Sequence, residues 1–429
     1  RKLIIKMKKL LLFEILIACS SVLFAQQKQA SAVYTVDGSG EKVVYRSHIT
    51  LEAFGVDESV VYVTDGVELT LSSMRLNKTA GASTVKDNIK RNGMNAAVLA
   101  DAGSTLNLYN CELTSHATNA DAIAVTGMGS TVFATSPIIN ISRDNAAGLN
   151  VFNGAKAVLE DVTVNTASLT SPAFLTQQGG TIQITDANGN MSGADSPIIY
   201  SSGNVNVTGG RMLSYSSHIA TVNGGGKISL EDVSFYGYKY YGFQLYNNGK
   251  SAENGGTGNL EIKESTIAIA EGPMFYVTNT SVNVDLEEVK FGFAKDAPLA
   301  EVVAGDWGEA GKNGGNLVLN AEQQHLEGDI IVDEISTVKF DMGSKVIYKG
   351  AINPNKQGKA AVVMENDSKW TLAADSYLET IEFEKSVEKG IKQISSKGHN
   401  IYYNPKNPAN AALGGKTYPL KGGGSLLTY

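Results

Sequence analysis

The sequence has very few cysteines, which excludes a disulfide-stabilised scaffold. Only Cys19 and Cys111 occur among its 429 residues. Cys19 falls in a segment that we expect to be removed or lipidated, so at most one unpaired thiol remains in a soluble mature chain. A chain of this size without disulfides must obtain its stability from core burial or from repetition.

Clusters of basic residues are absent beyond the first nine positions. The chain carries 36 Lys and Arg against 43 Asp and Glu, a formal net charge of −7. Removal of residues 1–25, which contain five basic residues and one acid, lowers this charge to −11. An acidic surface repels phosphate backbones, so the sequence excludes nucleic acid as a partner.

Long apolar runs are missing except near the N-terminus, where residues 1–25 are typical of a secretory signal peptide. A basic Met7-Lys8-Lys9 segment precedes an apolar run that reaches Ala25. Cleavage after Ala25 leaves a soluble, secreted protein, and we favour it because the apolar run continues past Cys19. The alternative is a lipoprotein signal that places a lipid anchor on Cys19 and holds the protein at a membrane surface. No later segment is long enough to predict a transmembrane helix.

The remaining chain is dominated by a short repeat. Two apolar residues separated by one position recur every 23–26 residues, with longer steps of 32, 33 and 37 residues. This alternation indicates strands, and the period is too short for a propeller blade or a helical-pair repeat. The pairs are Leu69/Leu71, Leu106/Leu108, Val132/Ala134, Ala157/Leu159, Ile182/Ile184, Val205/Val207, Ile228/Leu230, Leu260/Ile262, Val284/Leu286 and Leu317/Leu319.

Second and third apolar segments accompany many of these pairs, so each repeat predicts three short strands. Three strands joined by bends form one coil of a right-handed, single-stranded parallel β-helix, an all-β solenoid. About a dozen coils, stacked at about 4.8 Å, are expected. We predict an N-terminal cap at 26–68, coils over 69–370, and closing coils with a C-terminal cap at 371–429. Cys111 is predicted to point into the core.

Several segments carry a resemblance to a known class of proteins. They resemble the secreted right-handed β-helix, adhesin-like proteins of bacteria, which are similar in shape to autotransporter passengers and pectate-lyase-like folds. The resemblance implies export and a role at the cell surface, outer-membrane or extracellular, and it supplies no catalytic residues. It rests on Val61–Gly66, Asn95–Ala100, Phe275–Thr280, Gly305–Gly308, Trp370–Leu372, Asp375–Leu378 and Gly414–Tyr418.

Enzymatic motifs are weak. A galacturonan hydrolase would require paired aspartates and a Gly-His-Gly turn, and the chain has no Asp-Asp pair and only Gly398-His399-Asn400. Its six arginines and five histidines are not spaced along the sequence as catalytic residues or metal ligands usually are. We therefore expect no enzyme, and we keep a polysaccharide lyase or glycoside hydrolase as an alternative that rests on analogy of fold alone.

Three carboxylates form the one candidate metal site. Asp232, Glu264 and Glu288 occupy the same bend of consecutive coils, so they are predicted to stack about 5 Å apart. Like charges at this spacing repel by about 1 kcal/mol in water, and a bridging Ca²⁺ would relieve that repulsion. The alternative is an exposed bend whose side chains swing freely in solvent. No other cofactor is indicated.

Candidate ligand-binding residues are aromatic. Phe235 and Phe243 fit inward positions, whereas the tyrosines between them lie on a bend and an outer face, where rings can stack on sugars or simply cover the solenoid. The 32- and 33-residue steps of the repeat predict two loops, at 247–258 and 304–315, that project side by side at one corner. Trp307 lies in the second loop, either exposed or folded back onto the solenoid. The candidate ligand-binding residues are Tyr236, Tyr238, Tyr240, Tyr241 and Trp307.

These expectations combine into a functional prediction. We expect a non-catalytic, secreted or surface-associated, adhesin-like protein that contacts glycans or cell surfaces through loops on a rigid β-helix. A polysaccharide-active enzyme and a purely structural spacer remain as alternatives.

Overall fold

The computed structural model describes residues 30–39, 43–86, 92–249, 255–365 and 367–429. The predicted signal peptide at 1–25, with Cys19, lies outside these residues. The described chain is a β-solenoid of about 15 turns, with 51% strand and 3% helix. This confirms the predicted all-β parallel β-helix. The predicted dozen coils is too few because the turn at 31–53, which we assigned to the N-terminal cap, and the closing coils after residue 370 also belong to the solenoid.

Each turn contributes strands to three faces. Face A forms a 12-stranded parallel sheet and continues as three parallel strands near the C-terminus. Its strands are Ser31–Val36, Glu58–Val63, Val98–Ala100, Ile123–Thr126, Leu149–Phe152, Phe174–Thr176, Ile199–Ser201, Ala220–Asn223, Phe243–Tyr246, Phe275–Thr278, Ala300–Val302, Ile330–Val332, Ser376–Leu378, Ile401–Tyr403 and Ser425–Thr428.

Face B contains the predicted leading pairs. Its strands are Val43–Ser47, Glu68–Ser72, Thr105–Tyr109, Thr131–Thr135, Lys156–Thr166, Thr181–Met191, Asn204–Ser214, Lys227–Glu231, Thr257–Lys263, Thr280–Glu287, Gly315–Glu322, Thr337–Met342, Lys359–Met364 and Thr380–Phe383.

Face C follows face B in each turn, and the three 11-residue strands of face B run on into it. Its other strands are Thr50–Ala53, Arg75–Lys78, Glu112–Ser115, Ile138–Ile141, Ser234–Gly237, Thr266–Ile269, Lys290–Gly292, His325–Glu327, Ile347–Lys349, Lys369–Thr371 and Ile394–Ser395.

The bend between faces B and C depends on one left-handed residue per turn. Asn110, Asp161 and Asp232 occupy this position with φ of 51°, 52° and 53°. Asn and Asp tolerate the left-handed region because their short side chains hydrogen-bond locally. This explains why polar residues separate the two apolar pairs of each repeat.

The leading apolar residues fill the core as predicted. All twenty are buried, none with more than 3% of its surface exposed. Parallel register stacks Leu106 on Leu69, Val132 on Leu106 and Ala157 on Val132. Equivalent side chains of neighbouring turns are thus in contact along the solenoid, and this removes apolar surface from water continuously.

One predicted pairing is wrong by two residues. Leu317 lies beside Val282 and Leu319 beside Val284, whereas the repeat spacing paired them with Val284 and Leu286. A shift of two positions keeps every side chain on the same side of the strand. Because both alignments bury the same residues, the apolar pattern could not distinguish them.

Larger side chains confirm the inward predictions. Phe235 and Phe243 are fully buried, and Phe243 stacks on Phe275 of the next turn at 5.8 Å between ring centroids. Cys111 is also buried, and burial raises the pKa of its thiol, so it behaves as a small core residue.

The two ends of the solenoid differ. At the N-terminal end the strand Ser31–Val36 pairs in parallel with Glu58–Val63, so the ladder begins before residue 69. At the C-terminal end Tyr418–Pro419 pairs antiparallel with Ser425–Thr428. The helical elements Val387–Gly390, Ile391–Gln393 and Pro408–Leu413 accompany these closing turns. None of the helices in the described part of the chain has the length and apolar character needed to cross a membrane.

Candidate functional site

A groove on the outer surface of face A brings several predicted residues together. It encloses about 550 Å³ and lies between the corner that precedes the face A strands and the corner that follows them. Tyr240 and Tyr241 line it from the first corner, and Trp307 lines it from the second. We call this feature the aromatic groove.

The floor of the aromatic groove comes from outward positions on face A. Leu175, Tyr200, Thr221 and Gln244 are register partners in four consecutive turns. Since neighbouring strands lie about 4.8 Å apart, this row extends about 14 Å along the solenoid axis. Their neighbours in sequence point into the core, as the alternation of a strand requires.

A chain of hydrogen bonds fixes one side of the floor. His218 Nε2 lies 2.5 Å from Thr221 Oγ1, and Thr221 Oγ1 donates to Gln244 Oε1 at 3.3 Å. Because the threonine hydroxyl proton is used on Gln244, His218 Nε2 is the donor and its Nδ1 accepts from Ser217 Oγ at 3.2 Å. This order leaves the Gln244 amide nitrogen as a donor for the groove.

His218 is neutral in this arrangement. Its side chain is buried, with 6% of its surface exposed, and burial lowers the pKa of the imidazole to about 3. An uncharged imidazole can donate through one nitrogen and accept through the other, as the hydrogen-bond chain requires.

The other side of the floor is held by phenol groups. Tyr200 Oη accepts from Asn223 Nδ2 at 2.9 Å and lies 2.9 Å from Tyr246 Oη. Burial raises the pKa of both tyrosines, so both hydroxyls stay protonated. The Tyr246 ring in turn supports Trp307, with centroids 4.6 Å apart and planes inclined by 54°.

Trp307 therefore folds back onto the solenoid and still lines the groove. Tyr241 is less available than predicted, because its ring stacks on Tyr276 at 4.6 Å and contacts His218 at 6.0 Å. Tyr240 keeps 45% of its surface exposed. Of the predicted aromatic residues, Tyr240, Tyr241 and Trp307 therefore line the groove, and Tyr241 and Trp307 each have another ring packed against them.

The remaining predicted tyrosines do not line the groove. Tyr236 lies on face C beneath the Arg211 guanidinium, 5.3 Å from its ring centroid. Tyr238 stacks on Tyr215 at 5.4 Å. The structure separates these two from Tyr240 because strand and corner positions of one turn face different directions.

A second depression adjoins the aromatic groove. It encloses about 340 Å³ and shares Gln177 and Tyr200 with the groove. Its other polar lining is mostly amide, from Gln178, Asn223 and Asn248. We call it the amide depression. Through these two shared residues the aromatic groove and the amide depression adjoin each other.

The two predicted loops meet next to this surface. The Asn279 side chain donates to the carbonyl oxygens of Asn247 and Gly249, at 2.7 and 2.9 Å, and its backbone N–H donates to Asn313 O at 3.0 Å. Asn247 begins the first loop and Asn313 ends the second. Both loops therefore leave the same corner, as the repeat spacing predicted, and residues 250–254 of the first lie outside the described residues.

The backbone bends that carry the three candidate metal ligands lie in consecutive turns. Asp232 N–H donates to Lys263 O, and Glu264 N–H donates to Glu287 O, so the bends at Asp232, Glu264 and Glu288 follow one another. Across the ranges that the structure describes, no three carboxylate, imidazole or thiol side chains are grouped so that they could share a metal ion. Calcium binding at this ladder stays a prediction.

Asp195 and Glu301, two carboxylates near the aromatic groove, are poorly placed to act as a pair in glycoside hydrolysis. Asp195 lines the groove, whereas Glu301 lies beyond Tyr276 in the outward row. Their turns are four strand spacings apart, about 19 Å along the axis. Paired carboxylates of inverting and retaining glycosidases lie about 5–9.5 Å apart. Asp195 and Glu301 are therefore too far apart to act as acid and base on one glycosidic bond.

Sequence reasoning missed Tyr200, Thr221, Gln244 and His218. Their only signal is position, since the first three occupy equivalent outward sites on the third strand of successive repeats. An alignment of all three strands of each repeat, rather than of the leading pairs, would have placed them in one row.

Comparisons with known proteins identify no family for this chain. No family model, no curated protein and no solved structure matches the chain.

Proposed function

We propose that this chain is a non-catalytic, secreted or surface-associated binding protein that holds a glycan in the aromatic groove. The observation that carries the proposal is the position of Tyr240 and Trp307 on opposite sides of a floor of hydroxyl and amide groups. Aromatic rings stack on the apolar faces of sugars, and hydroxyl and amide groups hydrogen-bond to sugar hydroxyls. The adhesin-like role and the bacterial cell surface belong to this proposal.

The rigidity of the floor also supports a binding role. In the free protein Thr221 already donates to Gln244, and the hydroxyls of Tyr200 and Tyr246 already hydrogen-bond to each other. A ligand that binds there meets groups whose orientation is fixed, so less conformational entropy is lost on binding. A structural spacer has no need of an organised polar floor on one segment of its surface.

The test is glycan binding by residues 26–429 and by two single variants. We expect the intact protein to bind at least one member of a glycan array, and Tyr240→Ala and Trp307→Ala each to weaken that binding about tenfold, since truncation of a binding aromatic costs about 1.4 kcal/mol. Isothermal titration calorimetry on the array hit measures the effect.

Tyr109→Ala is the matched control, because Tyr109 is similarly exposed, at 44%, but lies on face B. Its binding should equal that of the wild type. Equal binding by all three variants would show that the aromatic groove is not the glycan-binding site. Release of reducing or unsaturated sugars would instead favour an enzyme, and no binding to any glycan would favour a spacer.

A further inference from the structure

We infer that the aromatic groove and the amide depression together select uncharged glycans and reject those that carry uronate or sulfate groups. This inference rests on the proposed function and narrows it to a ligand class. It follows from the charges, hydrogen-bonding groups and extent of the described lining.

The described lining carries one charged side chain, and it is acidic. Asp195 lines the aromatic groove and is exposed, while the described lining of the amide depression has no ionisable side chain except the Tyr200 phenol. A carboxylate or sulfate in the groove would lie near Asp195, and none of the described lining residues is a cation that could offset the repulsion. Like charges a few ångströms apart repel by about 1 kcal/mol even in water and by more in a partly desolvated site.

Two described lysines that are close in sequence to groove residues form ion pairs with acids. Lys239 precedes Tyr240, but its ammonium lies 3.3 Å from Glu271. Lys312, in the same loop as Trp307, lies 3.1 Å from Glu309. Neither lysine lines the groove.

Negative charge accumulates on the far side of the groove as well. Burial raises the pKa of Tyr241, and the charges of Glu301 and Asp306 raise it further. The histidine in the floor supplies no counter-charge, because His218 stays neutral down to about pH 3. The local field therefore opposes an anionic ligand over the pH range in which proteins work.

The neutral lining suits hydroxyl and acetamido groups. Each Asn or Gln side chain offers both donors and acceptors, as a sugar hydroxyl does, whereas a carboxylate only accepts and binds most strongly to charged donors. Gln177 and Gln244 line the aromatic groove, and Gln178 and Asn223 line the amide depression. The floor of about 14 Å is longer than one hexose ring, so the ligand is an oligosaccharide.

Matched pairs of oligosaccharides test the inference. Titration calorimetry with hexamers of β-1,4-linked glucose and β-1,4-linked mannose is compared with titration of the corresponding β-1,4-linked oligoglucuronate and oligomannuronate. We expect at least one uncharged hexamer to bind and its acidic counterpart to bind at least tenfold more weakly at 50 mM salt. The difference should shrink at 500 mM salt because repulsion is screened.

Asp195→Asn adds a test in the protein itself. It should strengthen binding of the acidic counterpart about fivefold and change binding of the uncharged hexamer less than twofold. Asp296→Asn is the control, because Asp296 is exposed in the Lys295 loop and shares the left-handed backbone of Asp195, with φ of 56° and 49°. It should change neither.

The possible failures are distinct. An acidic oligosaccharide that binds as tightly as its uncharged partner overturns the inference and leaves glycan binding intact. An Asp195→Asn protein with unchanged binding of acids removes Asp195 as the source of the selectivity and overturns the electrostatic argument. If no oligosaccharide on the panel or the array binds, glycan binding itself is wrong and the inference falls with it.

Discussion

Replacement of Trp370 by alanine is expected to lower the free energy of unfolding by about 4 kcal/mol. Trp370 is fully buried in a late turn, where its ring lies 6.0 Å from that of Tyr348. Its indole nitrogen donates to Gly350 O at 2.9 Å. Alanine leaves a cavity and also removes the hydrogen bond to that carbonyl, and both effects destabilise the native state.

Two companion variants separate these contributions in urea-unfolding experiments. Trp370→Phe keeps an aromatic ring and loses the hydrogen bond, so we expect a loss of about 1–2 kcal/mol. Phe133→Ala changes an outward ring that is 43% exposed on face B, and we expect a loss below about 1 kcal/mol. Equal midpoints for Trp370→Ala and Phe133→Ala would show that Trp370 does not contribute to the core.

The core of this protein could be predicted from the sequence because its repeat is encoded locally. Leu106, Ile182 and Ile228 occupy equivalent places in a strand of period two, and burial of one requires burial of the others when turns stack. The bend between faces B and C could also be predicted where it is occupied by Asn or Asp, because these residues tolerate a left-handed backbone. Both signals depend on a residue and its near neighbours along the chain.

The aromatic groove could be predicted only in part because its residues come from different turns. Tyr240 and Trp307 were found as aromatic residues at a bend and in a long loop. Tyr200 and Gln244 are ordinary outward residues by sequence, and only the register of face A places them in one row. The register error at Leu317 has the same origin, since apolar alternation fixes the side of a strand but not its alignment with a neighbour.

The predicted ligand tyrosines show a further limit of local reasoning. Tyr236 and Tyr238 lie close to Tyr240 in sequence, yet they contact Arg211 and Tyr215 instead of the groove. The chain turns from face C to face A between Tyr238 and Phe243, so neighbours in sequence diverge in space. A cluster of aromatic residues in a solenoid therefore marks a corner and does not by itself define a binding site.

Acidification is expected to destabilise the protein through His218. The native imidazole has a pKa of about 3 because it is buried, whereas a histidine in the unfolded chain has a pKa near 6.5. Between these values the unfolded state binds a proton that the native state does not, so stability falls as pH falls below about 6.5. Because the unfolded histidine is already half protonated at pH 6.5, the stability lost between pH 6.5 and pH 4.5 amounts to about 2 kcal/mol.

The test compares how pH changes the free energy of unfolding in the wild type and in His218→Gln. Glutamine keeps a donor and an acceptor but does not titrate, so the variant should lose about 2 kcal/mol less than the wild type between pH 6.5 and pH 4.5. Carboxylates that titrate in this range contribute equally to both proteins and cancel in the comparison. His325→Gln, at an exposed position on face C, should follow the wild type. A His218→Gln protein with the wild-type loss on acidification would contradict a neutral, buried imidazole and, with it, the hydrogen-bond order that directs the Gln244 amide nitrogen to the groove.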